Sequence, residues 1–330
     1  MKELFNVSTS PHIRSEETTG RLMADVVIAL MPASIFGVYQ FGLRALAILL
    51  LSMLTCVVTE FAWDKYVVKK PYIGYECSAL LTGLLLGMNL PVSVPFWVPV
   101  LGGVFAIIVV KQLFGGLGQN IMNPALAARC FLIICVPGIM TNYTVAQSAE
   151  GVMNVMNYGA ASVDGLTGAT PLAAIKAGAE PSLFNMFFGF TGGVIGETSA
   201  ALLLLGAAYL LWRKVITFHI PAAYIGSFVV FLLLFSGKGF DVQYIAREIC
   251  GGGLMLGAFY MATDYVTSPI TSAGRIVYGV VIGILTGIFR LYGVSAEGVS
   301  YAIIIGNILV PLIEKVTLPK AFGKGGKAHA

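Results

Sequence analysis

The stretch of this chain whose residue types and order suit bond-forming chemistry is Asp164-Gly165-Leu166-Thr167-Gly168-Ala169-Thr170-Pro171-Leu172. It offers two hydroxyls in a glycine-spaced run. Gly165 and Gly168 permit positive φ and close backbone approach. Ala169 leaves room beside Thr170. Pro171 favours an extended Thr170 and suits the first position of a helix. The expected result is an exposed threonine hydroxyl in an uncrowded pocket, with nothing catalytic on its face. An ordinary glycine-rich loop has the same composition. An [ST]-G-A-T match alone arises by chance in roughly one chain in a hundred, so the segment needs support from elsewhere.

Other polar residues stand out because their surroundings are apolar. Glu197-Thr198-Ser199 reads as the start of a helix inside an apolar region. Free N–H groups there suit a phosphate or another anionic group, and the plain alternative is a Ser/Thr cap. Glu76 and Asp264 lie at or near the ends of apolar runs, where acids are candidates for a cation path. The alternative for both is an interfacial acid touching water. Asn120, Asn123 and Asn307 either line a cofactor or ion path or hydrogen-bond between helices. Cys56, Cys77, Cys130, Cys135 and Cys250 form no CxxC pair, which argues against a disulfide framework and against a complete iron–sulfur or zinc site built by this chain alone. His12, His219 and His329 are scattered and suggest no haem.

The elements that must position these residues are membrane helices. The 330 residues are 57% hydrophobic and only 11% charged, whereas soluble domains carry roughly 25% charge. Repeated apolar stretches of about 20 residues account for the deficit, and the 39 glycines fit close helix packing in lipid. The expectation is an all-α polytopic membrane protein of about ten transmembrane helices, near 22–39, 43–62, 77–91, 96–111, 125–140, 187–211, 221–236, 249–264, 275–290 and 298–316. The division is a cytoplasmic segment 1–21, a membrane half 22–140, a loop 141–186 bearing the Thr170 motif, a second half 187–316 and a basic tail 317–330. No secretory leader is expected, since Met1 to Arg21 holds no apolar core.

Of the 20 basic residues, all but Arg44, Lys176, Lys238, Arg247 and Arg290 fall on the side of the termini and the even loops. The positive-inside rule then puts both termini in the cytoplasm and the 141–186 loop outside. The net charge of +4 is a topology signal and does not point to nucleic acid. Each half holds a proline turn, Leu90-Pro91 or Ser268-Pro269, and an asparagine in or before its last helix. An odd number of spans per half makes the halves candidate inverted repeats, as in many transporters.

At this point the residues meet a family. Asp164 to Thr170 resembles the D-G-x-[ST]-G-A-T site of the membrane flavoprotein subunits of Rnf and Na⁺-NQR complexes (the RnfD/NqrB family). Other stretches resemble the same family: Ser10-Pro11-His12-Ile13-Arg14, Ser78 to Leu86, Gly115 to Ala125, Glu197-Thr198-Ser199-Ala200 and Phe259-Tyr260-Met261-Ala262-Thr263-Asp264. The likeness runs over roughly residues 8 to 316 and is closest to the RnfD type, because the long N-terminal extension usual in the NQR relative is missing. Two departures bear on site geometry. Glu76-Cys77 precedes Ser78 where the family often has Asp, and Asp264 is followed by Tyr265 where Pro is usual.

The resemblance implies a covalent FMN on Thr170 through a phosphoester, added by a separate flavin transferase, with Asp164, Gly165, Thr167, Gly168, Ala169, Glu197, Thr198 and Asn123 near the cofactor. A second, non-covalent flavin (riboflavin) is implied by the NQR relative. It further implies a bacterial inner-membrane complex moving electrons between ferredoxin and NAD⁺, coupled to Na⁺ or H⁺ transport. The partners so implied are a second FMN-threonine subunit, two small membrane subunits, an iron–sulfur ferredoxin-like subunit and an NADH-binding subunit, all within the lipid bilayer or against it. The competing readings are a quinone-reducing NqrB-like subunit and a flavin-free transporter or channel.

Overall fold

The structure, a computed structural model, describes residues 18–69, 77–143, 170–197, 199–293 and 298–319. Glu76, Asp164, Gly165, Thr167, Gly168, Ala169 and Thr198 lie outside the described residues. All regular elements within them are helical, with one isolated β-bridge between Pro91 and Val194. In chain order the helices are α1 (Thr19–Phe41), α2 (Leu43–Val68), α3 (Ser78–Met88), α4 (Trp97–Gln112), α5 (Pro124–Cys135), α6 (Pro137–Met140), α7 (Pro171–Lys176), α8 (Leu183–Phe188), α9 (Ala200–Trp212), α10 (His219–Phe235), α11 (Val242–Cys250), α12 (Leu254–Leu256 running into a π turn Gly257–Met261), α13 (Ser272–Tyr292) and α14 (Val299–Thr317).

Four of these are long and apolar enough to cross a membrane: α1, α2, α13 and α14. Five more, α3, α4, α5, α9 and α10, are apolar but shorter. The 11 residues of α3 rise only about 16 Å, half of a bilayer core. Its carboxyl end is nevertheless packed in protein: Met88, Leu90, Val92 and Val94 are all fully buried. Irregular backbone at membrane depth is tolerated when protein covers it. Large apolar residues such as Ile35, Leu54, Leu234 and Trp212 cover the outer faces instead, as lipid contact requires.

The helix breaks differ from the sequence expectations at several places. The third span, expected over 77–91, ends at Met88. The sixth, expected over 187–211, is two pieces, because α8 stops at Phe188 and α9 begins only at Ala200. The eighth, expected from 249, is broken after Cys250: Gly252 and Gly253 adopt φ of 63° and 67°, a conformation that ends a right-handed helix and that glycine alone enters cheaply. The fifth also divides, since Pro137 lacks the N–H needed to continue α5.

Close packing of the full-length helices depends on small residues. Gly279, Gly283 and Gly287 recur at four-residue spacing and make one stripe down α13. A Cβ at Gly279 would sit 2.7 Å from Ala223 Cβ, and one at Gly283 would run into Ser227 Oγ of α10. In the other half, a Cβ at Gly83 of α3 would lie 2.5 Å from Met53 Cα of α2. Without a hydrophobic drive between helices in lipid, such close approach supplies the dispersion contacts that hold them together.

Candidate functional site

Thr170, expected to be exposed, is instead buried at the N-cap of α7, because its hydroxyl turns onto the helix start. Its extended backbone (φ −56°, ψ 153°) follows from the proline after it, and Pro171 occupies the first helical position as the sequence predicts. Thr170 Oγ1 accepts from the Ala173 N–H at 3.3 Å. The hydroxyl borders a small pocket shared with Leu172, Met186, Thr191, Gly193, Glu197 and Gly252.

The wall opposite α7 is the glycine break between α11 and α12. A Cβ on Gly252 would overlap Leu172, so this backbone can lie against α7 only as glycine. Arg290 of α13 fixes the break. Its guanidinium donates to the carbonyls of Glu248, Gly251 (2.9 Å) and Gly252 (3.2 Å), and to the Glu248 carboxylate at 3.1 Å. Burial, reinforced by the Glu248 carboxylate, pushes the nearby Tyr244 phenol up to about 12, so it stays protonated and able to donate.

Glu197 enters the same cavity from the segment before α9. It does not itself cap that helix: Ser199 does, accepting from the Leu202 N–H at 3.3 Å. Glu197 Oε1 instead lies 3.0 Å from Arg129 Nη1 of α5, and both side chains are buried. Arg129 Nη1 also donates to Asn89 Oδ1 at 2.7 Å, where α3 ends.

Asn123 and Asp264 are not at Thr170. They line a second cavity with Ser78, Thr82, Lys111, Asn120 and Tyr260. Asn123 caps α5 through Oδ1, which accepts from the Ala125 and Leu126 N–H groups, and its Nδ2 donates to Met261 O at 3.4 Å. Asp264 Oδ2 accepts from Thr267 Oγ1 at 3.2 Å. Asn307 of α14 lies between Tyr278 OH (2.6 Å) and the Asn123 backbone N–H (3.1 Å), so it ties helices together. Lys111, in the π-helical end of α4, is buried between Glu60 (2.7 Å) and Ser78 (2.6 Å).

Arg129, Asn89, Lys111 and Glu60 join the candidate site residues only through the fold. By position in the chain, Arg129 and Lys111 read as charges facing one side of the membrane, yet both are buried inside helices. A signal for them exists in the sequence: each is a cation within an apolar run, which in a membrane helix needs a partner. Among the described residues no group of three or more His, Cys, Asp or Glu stands close enough to hold a metal ion.

The residues around Thr170 fit a group attached through a phosphoester. A hydroxyl is available at the cavity, the start of a helix lies beside it, and Gly192, Gly193, Gly251 and Gly252 make much of the rest of the lining.

Residues 6–323 match the model of the NQR2, RnfD, RnfE family. The chain is 44% identical over 98% of its length, and 97% of the relative's, to the D subunit of the Na(+)-translocating ferredoxin:NAD(+) oxidoreductase complex of Acetobacterium woodii. It is 40% identical, with the same coverage, to the D subunit of the proton-translocating ferredoxin:NAD(+) oxidoreductase complex of Clostridium ljungdahlii. A third relative, the D subunit of the ion-translocating oxidoreductase complex of Actinobacillus succinogenes, is 33% identical over 98% of this chain and 99% of its own length. With buried polar sites, helices long enough to span a membrane and a match over nearly its whole length, the chain belongs to the NQR2, RnfD, RnfE family.

Proposed function

We propose that this chain is the membrane flavoprotein subunit of an Rnf-type complex that passes electrons between ferredoxin and NAD⁺ while moving an ion. Its relatives are named as subunits of ion-translocating oxidoreductase complexes. The observation that carries the flavin part is the placement of Thr170: a buried hydroxyl at a glycine-walled cavity, at the end of the D-G-L-T-G-A-T segment. FMN, when bound, supplies one- and two-electron chemistry, which the protein positions and tunes. Thr170 would form the attachment, and the Leu172 N–H, the first amide of α7, would donate to the phosphate. Glu197 would border the cofactor, together with Asp164, Gly165, Thr167, Gly168, Ala169 and Thr198.

The second cavity is the place for a non-covalent flavin. Asn120, Asn123 and Lys111 offer donors there, and Phe259 and Tyr260 offer apolar and aromatic surface. Asp264, and Glu76 two residues before Ser78, are the candidates for a cation path. Relatives named for Na⁺ and for protons are almost equally similar, so family membership does not choose the ion. The ten-span arrangement with two inverted halves is supported by short α3 and α12 standing at corresponding places in the two halves, and by α1 packing on α9 and α5 on α14 across the halves. The charge distribution supports cytoplasmic termini and an outward Thr170 loop in the bacterial inner membrane.

The test is a denaturing gel of the full chain co-expressed with a flavin transferase. A fluorescent band is expected for the wild type and a dark one for Thr170→Ala. A dark wild-type band would remove the covalent-flavin reading and return the transporter reading to first place. Quinone reduction by the native complex would favour the NqrB-like alternative.

A further inference from the structure

The interior of this protein holds an ion pair that stability alone does not explain. Arg129 and Glu197 meet at 3.0 Å, each with only 5% of its side chain exposed. Replacing such a pair by apolar residues is often neutral or stabilising, and ionisable groups inside a membrane protein mark function by default. The pair also has a built setting. Glu197 comes from the irregular segment between α8 and α9, Arg129 from α5, and Asn89, bonded to the same guanidinium nitrogen at 2.7 Å, from the end of α3. Gly253 (φ 67°) opens the fourth side, and a Cβ there would overlap Glu197 Oε1. Segments from three broken helices thus converge on one ion pair, and of its residues Glu197 lines the Thr170 cavity while Asn89 and Arg129 do not.

We infer that Glu197, held by Arg129, sets the reduction potential of the group carried on Thr170, with Arg129 acting as a positioning residue that keeps a carboxylate charged at the cavity wall. The inference rests on the flavin reading above. A fixed negative charge in a low-dielectric wall opposes the negative charge that arrives on reduction, and the guanidinium behind it partly cancels that effect. An arginine cannot shed its proton. Removing the carboxylate therefore leaves the positive charge in place.

Three variants of the full chain separate this from a purely structural role: Glu197→Gln; Glu197→Gln with Arg129→Gln; and Glu197→Gln with Asn89→Asp. Each is loaded by a co-expressed transferase and checked for gel fluorescence. Its flavin is then titrated spectroelectrochemically in detergent. Non-covalent flavin is washed out before the titration, so that the signal read is that of the covalent flavin. Glu197→Gln is expected to favour the reduced form at least tenfold, a rise of about 59 mV for a one-electron step. The Gln/Gln pair should return to within a few-fold of wild type. The Asn89→Asp combination moves the carboxylate off the cavity wall but keeps it beside Arg129, and should show a smaller rise. It also preserves a buried ion pair, so it decides the matter if Glu197→Gln alone does not accumulate. A fluorescent band with less than a tenfold change in Glu197→Gln, or a wild-type value in the Asn89→Asp combination, would overturn the inference. A dark wild-type band would instead overturn the flavin reading.

Discussion

At the scale of single residues, Thr170 has two roles. Its Oγ1 caps α7, and the same oxygen is the proposed attachment atom. These can be separated. Losing an N-cap costs about 1 kcal/mol, which an anchored six-residue helix in a protein of this size can bear. Thr170→Ala is therefore expected to fold and remain dark on the gel. Thr170→Ser keeps the oxygen and the cap but loses the β-branch that restricts χ1. The Ser variant should give a fluorescent band weaker than wild type; a dark band would mean the transferase reads the methyl group as well as the hydroxyl. Thr170 is legible in the sequence because the proline after it fixes its backbone locally. Glu197 is legible as a cavity residue, but its partner is not, since Arg129 is far away in sequence and nothing local ties the two together.

At the scale of elements, the Thr170 cavity is assembled where helices stop. α7 begins at it, the segment before α9 enters it, and Gly251 and Gly252 of the break before α12 wall it. These breaks are stable only because full-length helices frame them, and α10 against α13 is the tightest such frame. Gly283→Val would drive methyl groups into Ser227 and the Tyr224 carbonyl. Overpacking of this kind costs about 1–3 kcal/mol, so the thermal unfolding midpoint in detergent should fall. Gly226→Ala on α10, whose added Cβ meets nothing within 4 Å, is the control and should leave the midpoint unchanged or slightly raised. Equal midpoints for both would show that the glycine stripe does not govern helix packing. Glycine content suggests close helices, but which glycines face which helix depends on rotation about each axis, and a sequence repeat of four does not name the partner.

At the scale of the whole molecule, two cavities lie in one bundle and a chain of polar contacts runs between them. Glu197 meets Arg129, Arg129 meets Asn89, Asn89 Nδ2 lies 3.9 Å from Met261 Sδ, and Met261 O accepts from Asn123 in the second cavity. If the charge asymmetry sets the orientation, the Thr170 side faces out. In a cysteine-free background, Ala179→Cys should react with a membrane-impermeant maleimide on intact cells, and Lys327→Cys only after permeabilisation. The reverse pattern would invert the topology and place the flavin on the cytoplasmic side. Arg129 and Lys111 contribute nothing to that asymmetry once they are recognised as buried, but the basic residues of the termini still dominate it.

The sequence by itself determined the membrane class, the long helices α1, α2, α13 and α14, and the helix start at Pro171, because apolar length and proline backbone rules act locally. It did not determine how far the shorter helices run or which polar residues share a cavity. Asn123, Asp264 and Thr170 carry similar signals in the chain, yet the fold puts the first two in one cavity and the third in another. That separation, and the pairing of Arg129 with Glu197, come from packing between distant segments, where the cost of burying a charge in a low-dielectric interior selects the partner.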